Sequence, residues 1–147
     1  MEGKPHAQAL RRGRYSEPGR IYLITAVTRD RTPVFRDFAA ARALVATLRH
    51  AQALGHADTL AYVVMPDHLH WLMTLGDSIS LSPVVRSVKA VTARRLGRAL
   101  WQPGFHDHAV RREEDLASLA RYIAANPLRA GLVRNLGDYP HWDAIWL

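Results

Sequence analysis

The chain has 147 residues, 48% of them hydrophobic and 22% charged, with no cysteine and a formal net charge of +7. That length and composition fit one domain with a real core and exclude disordered and collagen-like classes, and no apolar run approaches the roughly 20 residues a membrane helix needs. Without thiolates, a metal has only His, Asn, Asp, Glu or backbone oxygen to hold it, a mixture that suits Mg2+ or Mn2+ and leaves zinc open.

The N-terminus is polar and lacks the apolar core of a signal peptide, so the cytoplasm is the expected location. The positive charge is mostly arginine, whose planar fork pairs well with phosphate, and it points to a polyanionic partner. No carboxylate lies between Asp77 and Asp107, where Arg86, Lys89, Arg94, Arg95 and Arg98 fall, and Arg11, Arg12, Arg14 and Arg20 make a second basic group. The plainer explanation of such runs is a solvated surface.

Residues 1–19 read as a basic arm without fixed structure, ahead of a catalytic domain over 20–133 and a tail over 134–147. Ile21 to Thr28, rich in β-branched and aromatic residues, predicts the first strand. Phe38 to Leu54 carries apolar residues at helical spacing and stops at Gly55, which predicts the first helix. Leu60–Met65 and His68–Leu75 are apolar runs on either side of the turn-forming pair Pro66-Asp67, and predict an antiparallel hairpin. Ser80 or Ser82 caps a second helix, with Pro83 in its first turn and an end near Leu100. Phe105 to Arg112 predicts a short strand. Glu113, Glu114 and Asp115 then place carboxylates at the positive end of a third helix, closed by Pro127. The order β-α-β-β-α-β plus an extra helix predicts an α+β, ferredoxin-like fold: one antiparallel sheet with both crossover helices on one face.

Strand alternation sets the chemistry. His68 and His70 point one way, whereas Leu69, Trp71 and Met73 point the other. The second set is the more apolar and belongs under the crossover helices, which leaves the imidazoles on the opposite face, within reach of the third helix. Two neutral imidazoles form half a metal site. In the third helix Leu116, Leu119, Ala120 and Ile123 form the docking stripe, and Tyr122 and Asn126 lie together on its flank. Alone, Tyr122 is an ordinary core-edge residue and Asn126 an ordinary helix cap. With a histidine pair on the facing sheet they become the best candidates for the other half. Asp67 is the nearest carboxylate, but strand alternation turns it away from both imidazoles.

Three segments carry a resemblance. Tyr-Val-Val-Met-Pro-Asp-His-Leu-His-Trp-Leu at Tyr62 to Leu72, Trp-Gln-Pro-Gly-Phe-His-Asp-His at Trp101 to His108, and Tyr-Ile-Ala-Ala-Asn-Pro-Leu-Arg-Ala-Gly-Leu-Val at Tyr122 to Val133 resemble the single-tyrosine HUH transposases. Within these, they most resemble the REP-associated tyrosine transposases, from about Arg14 to Val133.

The resemblance implies a nuclease that cuts and rejoins single-stranded DNA at hairpin-forming repeats. His68 and His70 match the pair that binds the divalent ion, Tyr122 the nucleophile, and Asn126 the polar residue that completes coordination. In the insertion-sequence branch that last residue is usually glutamine, so asparagine points to the REP-associated branch. A divalent cation reduces the charge repulsion and poor leaving group that protect a phosphodiester. A phenol, with an ordinary pKa of about 10, loses its proton during attack and stores the bond as a 5′-phosphotyrosine. Single-stranded or hairpin DNA is the expected partner, with a monomer or a homodimer both open. Arg11, Arg12, Arg14, Arg86, Lys89, Arg94, Arg95, Trp101 and Gln102 are the candidate DNA contacts, since arginines track phosphates and aromatic faces stack on bases. Trp101 serves equally well as a plug over the end of the second helix. His106 and His108 form a second His-x-His without an assigned role. The alternative function is a non-catalytic nucleic-acid-binding module whose histidines are surface residues.

Overall fold

The computed structural model describes residues 17–111, 114–135 and 138–144. Arg11, Arg12, Arg14 and Glu113 lie outside the described residues. The elements are β1 (Ile21–Val27), α1 (Phe38–Ala53), β2 (Ala57–Met65), β3 (His68–Leu75), α2 (Leu81–Leu96), β4 (His106–Ala109), α3 (Leu116–Ala124), the single turn α4 (Asn126–Arg129), and β5 (Trp142–Ala144). The strands form one sheet in the order β4-β1-β3-β2-β5, and every pairing is antiparallel. The first four strands have the ferredoxin-like arrangement predicted from the sequence, in which each crossover helix joins strands with one other strand between them. Among the described residues, no helix is long and apolar enough to cross a membrane.

β3 occupies the middle of the sheet and is buried on both faces. Leu69, Trp71 and Met73 join Ala41, Leu44, Val45 and Leu48 of α1 and Val84, Val85 and Val88 of α2 in the larger core. Trp71 is fully buried, and its indole N–H donates to Thr59 Oγ1 at 2.9 Å, so the largest core side chain leaves no polar group unpaired. On the opposite face, Leu72 packs with Ala61, Val63 and Met65 of β2 and with Ala120 and Ile123 of α3. The expected division of faces holds, with the histidine side of β3 turned toward α3.

Three elements depart from the sequence pattern. α2 ends at Leu96, not near Leu100, because Gly97 takes a left-handed conformation (φ 65°) that closes the helix. The third helix does not run unbroken to Asn126; it ends at Ala124, and α4 begins separately with Pro127 in its first turn. β5, within the segment expected as a tail, pairs Trp142 with Val63 and Ala144 with Ala61, extending the sheet beyond β2. Three residues are too short a run for alternation to reveal.

α3 is held at its start by Asp115, whose carboxylate accepts from Ala117 N at 3.0 Å and Ser118 Oγ at 2.7 Å. Its docking depends on Ile123, which is 2% exposed. Ile123→Ala is expected to destabilise the protein by about 2–5 kcal/mol in urea unfolding, through lost burial and a residual cavity.

Candidate functional site

The hairpin turn between β2 and β3 is the first fixed point of the site. Thr28 is buried, and its backbone N–H and its hydroxyl both donate to Asp67 O, at 2.9 and 3.1 Å, while Phe35 N donates to Pro66 O at 2.9 Å. With its backbone tied on both sides, the turn presents Asp67 to the neighbouring imidazole. Asp67 Oδ1 lies 2.7 Å from His68 Nδ1, and Oδ2 accepts from Arg31 Nε at 3.0 Å. This corrects the expectation that Asp67 points away from both histidines. The residue sits in the turn and not in the strand, so alternation does not govern it. Burial raises the Asp67 carboxyl pKa, but the His68 hydrogen bond and the Arg31 guanidinium outweigh it and hold the group below its ordinary value. Asp30 and Arg31 have positive φ values of 55° and 52°, a backbone strain of about 1–3 kcal/mol per residue in a segment that delivers Arg31 to Asp67.

His70 is oriented by a different partner. Thr25 of β1 is its register partner, and Thr25 Oγ1 lies 2.9 Å from His70 Nδ1. The rings of His68 and His70 meet edge to face with centroids 4.8 Å apart. Each imidazole therefore has its Nδ1 engaged by a neighbour, which leaves both Nε2 atoms without a protein partner among the described residues. Burial, with the charges of His68 and Arg129 adding to it, lowers the His70 pKa to about 4, so His70 is neutral at physiological pH and its lone pair is available.

The tyrosine arrives from α3. Tyr122 is 62% exposed, and the Arg129 guanidinium carbon lies 3.7 Å over its ring centroid. The same Arg129 charge acts on His70, so the guanidinium stacked on Tyr122 is within electrostatic range of the histidine pair. Asn126 solves a local problem. Pro127 has no N–H to offer the Ile123 carbonyl four residues earlier, and Asn126 Nδ2 donates to that carbonyl at 3.0 Å. The amide is used as a cap through its nitrogen, and its oxygen remains free to accept or ligate.

Among the described residues, no group of three or more His, Cys, Asp or Glu side chains forms a metal cage. Two imidazole nitrogens and an amide oxygen are donor types that suit a divalent ion with positions left for phosphate and water.

The other sequence candidates divide. Trp101 is 8% exposed, its indole N–H donates to Lys89 O at 3.0 Å, and its ring packs on Phe35 with centroids 5.6 Å apart. It is the plug and offers no face to a base. Lys89, expected among the DNA contacts, is likewise turned inward, because its ammonium donates to the carbonyls of Gln102 and Gly104, and burial lowers its pKa. Arg86, Arg94 and Arg95 are exposed on α2, which packs on the face opposite the histidines. Gln102 lines a pocket with Thr25 and His106 on the histidine side. Thr25, Arg31 and Arg129 were not singled out from sequence, and Asp67 was set aside. Arg129 lies seven residues, two helical turns, after Tyr122 and reaches its ring only because the helix breaks before Pro127, and Thr25 is visible only through register.

A ferredoxin-like sheet with a histidine pair on the face that the tyrosine-bearing helix packs against is the layout of the single-tyrosine HUH transposases. The IS200-like transposase family model matches residues 19–126, and the chain belongs to that family. It is 36% identical over 83 residues to the REP-associated tyrosine transposase of Escherichia coli (strain K12), covering 54% of this chain and 50% of that one. The chain thus matches half the length of that relative. It is 27% identical over 146 residues to a protein of Haemophilus influenzae provisionally given the same name, covering 84% of this chain and 78% of the relative. Its structure is similar to that of a REP-associated tyrosine transposase bound to a REP hairpin, with a TM-score of 0.72 and 25% identity over 97% of this chain and 82% of the other.

The depressed His70 pKa has a consequence for stability. The unfolded chain takes up the imidazole proton near pH 6.5 and the folded chain only near 4, so the unfolded state holds more protons between these values and folding weakens as pH falls through that window. Metal-free protein is expected to melt at a lower temperature at pH about 4.5 than at about 7, and His70→Gln is expected to remove part of the difference. An unchanged pH dependence in the variant would contradict the burial of a neutral His70.

Proposed function

We propose that this protein is a metal-dependent transposase that cuts and rejoins single-stranded DNA beside hairpin-forming repeats through a 5′-phosphotyrosine on Tyr122, with tyrosine and histidines supplied by the same chain. The observation that carries this proposal is the position of Arg129, stacked on Tyr122 at 3.7 Å and acting electrostatically on His70. Support for a single-chain site comes from α3, which docks on its own sheet through Ala120 and Ile123. The REP-hairpin complex of the structural relative supports the hairpin as the class of DNA.

His68, His70 and Asn126 would hold the divalent ion, Mg2+ or Mn2+. When bound, that ion polarises a phosphate oxygen and lowers the cost of charge at the attacked phosphorus. Asp67 and Thr25 hold the two rings so that both Nε2 atoms face the ligand. Arg129 places positive charge where the phosphate meets the phenol, which favours binding and orients the anionic group. The exposure of Tyr122 lets its proton pass to water. A covalent phosphotyrosine conserves the energy of the broken bond, so a 3′-hydroxyl can later displace the tyrosine without ATP.

Incubation with hairpin DNA bearing single-stranded flanks and Mn2+ is expected to yield a protein–DNA adduct stable to denaturation. Tyr122→Phe should abolish the adduct and leave hairpin binding unchanged, since only the nucleophilic oxygen is lost. His68→Ala, or EDTA with the unaltered protein, should also stop cleavage while binding persists. Cleavage by the Tyr122→Phe protein would refute the role of Tyr122. Binding without cleavage by the unaltered protein, under any metal, would identify a non-catalytic hairpin-binding module.

A further inference from the structure

The second His-x-His is not used by the chemistry described so far. Its two members have different surroundings. His108 Nε2 lies 3.0 and 3.2 Å from the two Glu114 carboxylate oxygens, which ties β4 to the entry of α3. His106 is exposed, and its imidazole has no partner among the described residues.

Register places His106 on the histidine face. Thr25 pairs with His70 of β3 on one side and with His106 of β4 on the other. Side chains of directly opposed residues in an antiparallel pair share a face, so His106, Thr25 and His70 form one row across three strands, spanning about 10 Å between the outer backbones. Against Thr25 and His106, on the β1–β4 side of that row, lies a pocket of about 230 Å³ also lined by Val27 and Gln102. Its outer wall is built in advance. Lys89 holds the carbonyls of Gln102 and Gly104 from beneath, and Gln102 N donates to Val27 O at 2.9 Å.

The position relative to Tyr122 gives the pocket a meaning. In phosphoryl transfer the attacking and leaving oxygens stand on opposite sides of phosphorus, roughly in line. The histidine pair lies on β3, the middle strand. α3 packs over the β2 and β5 side of it, so the phenol approaches from there. The bond that breaks then points toward β1 and β4, where His106 stands.

Resting on the reading of Tyr122 as nucleophile, we propose that the Thr25–Gln102–His106 pocket receives the 3′ end of the cleaved strand and that His106 is the catalytic acid for its oxygen. As the phenol oxygen bonds to phosphorus, the phenol proton passes to water and the P–O3′ bond breaks. Its electron pair stays on O3′, which takes a proton from the His106 imidazolium and departs as a 3′-hydroxyl. In joining, neutral His106 takes the proton of an incoming 3′-hydroxyl as that oxygen bonds to phosphorus, and the phenolate leaves and is reprotonated from water. An imidazole performs both directions near neutral pH.

A DNA substrate with sulfur in place of the bridging 3′-oxygen tests the acid directly, because a thiolate leaves without a proton. With Mn2+, which tolerates sulfur, His106→Ala is expected to slow adduct formation on ordinary DNA by about 10²-fold or more. On the sulfur substrate its rate should return close to that of the unaltered protein. His108→Ala should show no such difference between substrates. Equal slowing of His106→Ala on both substrates, or no slowing on ordinary DNA, would overturn the assignment.

Binding in EDTA tests the pocket without turnover. The unaltered protein should prefer a strand ending in a 3′-hydroxyl over the same strand ending in a 3′-deoxy nucleotide, and His106→Ala should lose the preference. Persistence of the preference in the variant, or its absence in the unaltered protein, counts against the pocket. Should no adduct form with any DNA, the Tyr122 reading fails, while this binding comparison still decides whether His106 holds the 3′ end.

Discussion

The structure depends on β3 being buried on both faces at the centre of the sheet. A strand presents neighbours to opposite sides, so one eight-residue segment, His68–Leu75, must satisfy two different packing environments at once. Leu69, Trp71 and Met73 fill the space under the two crossover helices, while Leu72 supports α3 on the other side. The imidazoles of His68 and His70 lie on that same second face, partly buried beside the α3 contact. A register slip of one residue would bury both imidazoles and expose Trp71, so the stability of the core and the placement of the ligands are one constraint.

A second constraint operates where α3 ends. Proline at 127 removes a helix hydrogen bond, the chain turns after Ala124, and Asn126 repairs the exposed carbonyl with its own amide. The turn that follows carries Arg129 back over Tyr122 and into range of His70. A helix continuing straight would have carried Arg129 onward along its axis. The break thus stacks Arg129 on the Tyr122 phenol while leaving its charge within range of the neutral His70 imidazole. The orientation of each imidazole is set in turn by a neighbour on its Nδ1, a turn carboxylate for His68 and a strand hydroxyl for His70.

Much of this was legible from residue pattern. The element order, the hairpin at Pro66-Asp67, the two faces of β3, and the flank position of Tyr122 all follow from local periodicity and turn chemistry. Periodicity failed in three places. It could not see that Gly97 closes α2, that Pro127 splits the last helix, or that Trp142–Ala144 extends the sheet. Side chains whose roles depend on distant partners were also misread. Lys89 carries the residue type of a nucleic-acid contact, yet points inward to the carbonyls of the loop after α2, and Trp101, which the sequence left open between contact and plug, is the plug. Asp67 was set aside on strand alternation, which does not apply to a turn.

By itself the sequence determined which residues share a strand face or a helix flank, because those relations depend only on the fixed periods of two and 3.6 residues. It thereby determined the histidine pair, the docking stripe of α3 and the ferredoxin-like order. Tertiary structure alone decided that Thr25 meets His70, that Arg129 stacks on Tyr122, and that His106 stands across β1 from His70 while His108 is engaged by Glu114. The Thr25–His70 contact alone joins residues 45 positions apart. They arise from strand register and from the path of the chain after a proline, neither of which a local period encodes.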